Sequence, residues 1–81
     1  MAPEFRKLEM ASGLRIWAKI LGLRTGDLEI TFEGDKARIV GAASSTKGAF
    51  EATVEVPDGF DPERASEEYF NGELRIAVPR L

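Results

Sequence analysis

Four carboxylates crowd one stretch of this 81-residue chain: Asp61, Glu63, Glu67 and Glu68. Paired carboxylates can carry acid–base chemistry or hold a hard cation. Here they stand in an acidic chain, with 14 Asp and Glu against 11 Lys and Arg, so solvated surface is the simpler reading. Ser44, Ser45 and Thr46 offer hydroxyls, which become nucleophiles only beside an activating base. The chain contains no histidine, and nothing in the pattern places Lys47 in a dry pocket. Residues 41–48 (GAASSTKG) are glycine-containing but lack Gly-Lys-Ser/Thr and precede no helical pattern, which excludes a phosphate loop. Zero cysteines remove disulfides, thiolate nucleophiles and sulfur ligands together. Zero histidines remove the usual neutral-pH proton shuttle and the commonest metal ligand. The expectation is a non-enzyme that needs no cofactor and no metal.

Binding is the chemistry left, and aromatic side chains are its usual anchors. Trp17 lies on the polar parity of its segment, between Arg15 and Lys19 along the same face. It either packs across neighbouring strands or meets a partner. Tyr69 and Phe70 are adjacent, so in a strand they point to opposite faces, one to the core and one outward. A net charge of −3, with basic residues scattered singly, argues against a nucleic-acid partner. No apolar run approaches the ~20 residues of a membrane helix, because Arg15, Lys19 and Arg24 interrupt the longest. Residues 1–10 carry Glu4, Arg6, Lys7 and Glu9 and so lack the apolar centre of a signal peptide, which makes the cytoplasm the default compartment.

The elements that position these residues are written in period-two alternation. Leu14, Ile16, Ala18 and Ile20 alternate with Arg15, Trp17 and Lys19. Leu28, Ile30 and Phe32 alternate with Glu29, Thr31 and Glu33, and Ala37 and Ile39 continue the pattern. Phe50, Ala52, Val54 and Val56 face one way, Glu51, Thr53 and Glu55 the other; Leu74, Ile76 and Val78 close the series. Residues 4–10 read as a short charged edge strand. Gly34-Asp35 and Asn71-Gly72 are tight hairpin turns, the latter fitting type I′, in which both central residues need positive φ. Asp61 is placed to cap one helical turn beginning at Pro62 and Glu63. Residues 21–27 (LGLRTGD) and 41–48 are connectors. Six or seven such strands predict a single all-β domain over residues 1–81, with its core across about 7–79: an immunoglobulin-like antiparallel sandwich.

The motifs along this frame carry a resemblance. Val56-Pro57-Asp58-Gly59-Phe60-Asp61-Pro62-Glu63, then Asn71-Gly72-Glu73-Leu74 closing on Val78-Pro79, looks like the end of the α-crystallin domain of small heat-shock proteins. Ala18-Lys19-Ile20-Leu21-Gly22-Leu23 is similar to that family's "ADLPGV" segment. Gly26-Asp27-Leu28-Glu29-Ile30-Thr31-Phe32-Glu33-Gly34 is similar to its "EDIxVxxxG" segment. The likeness runs from about Lys7 to Pro79. Departures are Ala52 in place of the "FxR" arginine, Glu67 for an alanine, Leu21 for the proline of "LPG", and a connection over residues 42–47 too short to carry a swapping strand. No C-terminal tail with the family's Ile-x-Ile motif is expected after Leu81.

The resemblance implies a stress-response chaperone domain of the α-crystallin/CS type that binds unfolded or partly folded proteins without ATP. It implies a groove at the sandwich edge, between the strand around residues 28–33 and the strand around residues 67–70. The expected lining is Ile30, Phe32, Tyr69 and Phe70, rimmed by Glu29 and Glu67, with Trp17 a further partner contact. The short connection and missing tail are also similar to the CS domains of co-chaperones, which implies the alternative of an adaptor docking one folded partner. Assembly is expected to stop at a monomer or a weak, non-swapped dimer.

Overall fold

The computed structural model describes residues 3–23, 26–41 and 49–81. Seven strands form: β1 (Arg6–Met10), β2 (Gly13–Lys19), β3 (Leu28–Glu33), β4 (Lys36–Gly41), β5 (Phe50–Glu55), β6 (Ser66–Phe70) and β7 (Glu73–Pro79). They pair antiparallel throughout, as a four-stranded sheet ordered β1-β2-β7-β6 and a three-stranded sheet ordered β3-β4-β5. Alternation dictates which faces meet. Leu14, Ile16 and Ala18 of β2 and Leu74, Ile76 and Val78 of β7 are buried against Ala37 and Ile39 of β4 and Phe50 and Val54 of β5. The sandwich is therefore the all-β fold its alternation predicts.

The turns set the registers. Asn71 (φ 52°) and Gly72 (φ 76°) both take the positive φ of a type I′ turn, pairing Phe70 with Glu73 and Tyr69 with Leu74. Residues 11 and 12 join β1 to β2, so Leu8 stands opposite Arg15 and Arg6 opposite Trp17. Leu8 and Met10 thereby share the outer face with Arg15 and Trp17 and remain exposed, while Lys7 takes the inward parity, opposite buried Ile16. At Gly13 (φ 149°) an added Cβ would lie 2.5 Å from the Val78 carbonyl oxygen, a close backbone approach that only glycine permits.

A single 3₁₀ turn, Pro62–Arg64, interrupts the connection from β5 to β6. The Asp61 carboxylate caps it, accepting from the Glu63 amide at 3.1 Å, and also accepts from Arg64 Nε at 3.0 Å. Arg64 donates onward to the Arg80 carbonyl at 3.0 Å, and Arg80 Nε to the Met10 carbonyl at 3.1 Å. The Arg80 guanidinium lies 4.9 Å from the centre of the Phe60 ring. These contacts tie the acidic loop and the end of β7 to β1, so the Asp61 and Glu63 region has a structural task.

Candidate functional site

β3 and β6 are edge strands, one of each sheet, and each pairs on one side only. Between them the sandwich opens into a groove of about 250 Å³. Leu28 and Ile30 enter from β3, Glu67, Glu68 and Tyr69 from β6, and Leu74 of β7 forms the floor. Leu28 and Ile30 face inward because they pair with Gly41 and Ile39, yet both stay half-buried, since no strand lies beyond β3 to cover them. Leu74 is 1% exposed, so the groove floor is continuous with the core.

Tyr69 is the most constrained residue of the site. Its ring packs against the core, and its hydroxyl donates to the Ile20 carbonyl. Ile20 in turn donates its amide to the Gly72 carbonyl at 2.8 Å, linking the groove wall to the β6–β7 turn. The rim is acidic: Glu67 and Glu68 are exposed, and Glu68 lies 3.7 Å from Arg75. The free edge of either strand, an apolar floor and a carboxylate rim suit an extended peptide with apolar side chains and basic flanks.

The sequence-derived candidates divide here. Ile30 and Tyr69 line the groove, but Phe32 and Phe70 do not. Phe32 is half-buried toward the β3–β4 hairpin, packed on the core. Phe70 pairs with Glu73 on the outer parity and is 65% exposed, so it points away from the groove. Glu29 is exposed on the outer parity of β3 and does not rim the groove; Glu68 does, beside Glu67. Trp17 lies on the outer face of the four-stranded sheet, half-buried, in a separate shallow depression. Gly26, Leu28 and Leu74 line the groove as well, outside the expected set. Counting back across the Asn71-Gly72 turn pairs Tyr69 with Leu74, a signal already present in the sequence. Ser44, Ser45, Thr46 and Lys47 lie outside the described residues. Among the described residues no group of three or more acidic side chains is arranged to hold a metal ion, and no helix is long and apolar enough to cross a membrane.

The fold recurs in solved structures. Heat shock protein 16.0 from Schizosaccharomyces pombe superposes with a TM-score of 0.89 at 18% identity, over 100% of this chain and 88% of that one. hspA from Xanthomonas axonopodis matches at 0.83 and 20% identity, over 96% and 92%. A small heat-shock protein from Xylella fastidiosa matches at 0.85 and 20% identity, over 99% and 86%. The chain thus has the α-crystallin-domain sandwich of the small heat-shock proteins. No family model and no curated protein matches its sequence.

Proposed function

We propose that this domain is an ATP-independent holdase, capturing partly unfolded proteins in the β3–β6 groove. The observation that supports it is the open seam itself: Leu28, Ile30 and Tyr69 stay half-buried beside two strands with unpaired edges. Burying such surface under a client segment is favourable without nucleotide, at roughly 25 cal/mol per Å² of apolar area. The Glu67–Glu68 rim directs the preference toward clients with basic flanks. The domain acts without catalysis, and the cytoplasm is its proposed compartment.

Light scattering of a heated model client, such as citrate synthase, tests this reading. Near-stoichiometric chain should suppress aggregation, and Ile30→Asp should abolish the suppression while leaving the fold intact by circular dichroism. Undiminished protection by Ile30→Asp would move the client site elsewhere. No protection by the wild type, beside tight binding to one folded protein, would replace the holdase with a CS-type adaptor.

A further inference from the structure

The outer face of the four-stranded sheet is a second surface, and register fixes its layout. Its middle row reads Arg6, Trp17, Arg75, Glu68 across β1, β2, β7 and β6. The row on one side reads Leu8, Arg15, Ala77, Ser66; on the other side Lys19 stands beside Glu73 and Phe70. A shallow depression of about 570 Å³ crosses this face between Leu8, Trp17, Glu68 and Ala77. Arg6, Arg15 and Lys19 lie on β1 and β2, and the carboxylates Glu68 and Glu73 lie on β6 and β7 with Arg75 between them. Leu8 is 53% exposed and Met10 39%, so the edge strand presents its apolar residues outward here.

From this arrangement we infer that the face docks a second copy of the same chain about a two-fold axis. The axis lies in the plane of the face and runs along the strands between β2 and β7. Rotation about it sets β1 against the partner copy's β6, and β2 against its β7, with rows kept level. Arg6 then meets the partner copy's Glu68, Lys19 meets its Glu73, and the Trp17 ring meets its Arg75, each contact occurring twice. Two kinds of opposite-charge pair thus form, Arg6 with Glu68 and Lys19 with Glu73, each twice, as an isologous interface requires, while Arg15 meets the partner copy's Ala77. The Arg75 guanidinium is engaged by two carboxylates, with Nε 2.5 Å from Glu73 and Nη1 3.7 Å from Glu68. A guanidinium that bonds carboxylates through its N–H groups keeps its flat faces for stacking on an aromatic ring. Aligned sheets pack about 30° apart, which displaces the outermost pairs by only about 4 Å, within reach of arginine and glutamate side chains.

Size sets the strength. Four strands at about 4.8 Å spacing give a face roughly 20 Å square, so the dimer buries about 800–1,000 Å² in total. That is below a standard stable interface, and dimerisation belongs at concentrations on the order of 100 μM. The interface uses side chains on the sheet face and leaves every strand edge unswapped.

Sedimentation equilibrium between about 10 μM and 1 mM tests the inference. Wild-type chain should form a reversible dimer that weakens in high salt. Arg6→Glu and Glu68→Arg should each weaken it about tenfold, since each change breaks two symmetric pairs. Mixed in equal amounts, the two variants should recover the association, because their heterodimer restores opposite charges at both positions. That recovery cannot come from a misfolded variant. A wild type that stays monomeric throughout, variants that self-associate like the wild type, or a mixture no tighter than either variant alone would overturn it. Ile30→Asp should leave the dimer unchanged, so failure of the client site and failure of this interface are distinguishable.

Discussion

Along β3 and β6 the two sheets part over leucine, isoleucine and tyrosine, whereas along β1 and β5 a lysine spans the gap. On the second side Lys7 occupies the inward parity of its strand and donates from Nζ to the Glu55 carbonyl at 3.0 Å. Phe5 packs on the core, and a space of about 300 Å³ is lined by Pro3, Phe5, Lys7 and residues 52–55 of β5. An inward-pointing charge is a recognised protection of an exposed edge, because a strand added there would have to bury it. The two sides of the same sandwich therefore offer an added strand different inward surfaces, apolar side chains on one and an ammonium on the other. The difference rests on a few inward positions: Leu28 and Ile30 on one side, Lys7 on the other.

The largest expected effect follows from the continuity of groove and core. Leu74 is both groove floor and buried core, so Leu74→Ala should lower stability by about 3 kcal/mol, measured by urea denaturation. In a domain of this size that is a large share of the total. Val54→Ala, on the closed side and removing two methyl groups at 9% exposure, should cost about half as much. Equal losses at the two positions would mean that the groove floor is no more committed to the core than the lysine-guarded side.

A smaller effect tests the guard itself. Lys7→Met keeps an unbranched apolar stem but removes the ammonium. Because Lys7 is exposed, stability should change by only about 0.5 kcal/mol. Solubility should change far more, with light scattering rising as concentration increases, since the β1–β5 side would then resemble the open one. A variant as soluble as the wild type would show that the edge is protected by something other than Lys7.

Much of this contrast was legible in the sequence, and the part that was not has a common cause. Strands β2, β4, β5 and β7 follow directly from alternation, because each has one buried face. The capped turn at Pro62 follows from Asp61. Edge strands are different: nothing covers their far side, so polarity alone does not say which parity faces inward. In β1 the apolar residues Leu8 and Met10 face out and Lys7 faces in, an orientation imposed by the turn at residues 11 and 12. In β6 the choice between Tyr69 and Phe70 is likewise made by the Asn71-Gly72 register, not by hydrophobicity, since both are aromatic. Register across a tight turn is thus the stronger guide wherever a strand is half-covered.

The smallest effect concerns β5, the strand that forms one wall of the closed side. Glu51 of β5 pairs with Arg38 of β4 on the outer face of the three-stranded sheet. The hydrogen bond from Arg38, reinforced by its charge, holds the Glu51 carboxyl below the usual carboxylate range. A carboxyl whose pKa falls on folding adds stability that is fully present above its unfolded pKa and is lost as pH falls through the folded value. The loss therefore lies on the acid side of about pH 4, and at neutral pH the contribution is flat. Both side chains are exposed, so salt screens the pair and its contribution is small. Melting temperature followed from neutral pH into acid should fall less steeply for Glu51→Gln than for the wild type, and the two curves should converge in high salt. Groove binding should be the same in both proteins at neutral pH, because this pair braces β5 against β4 while the groove is walled by β3 and β6. A change in client protection by Glu51→Gln would mean that the two sides are mechanically coupled through β4, and that the closed side tunes the open one.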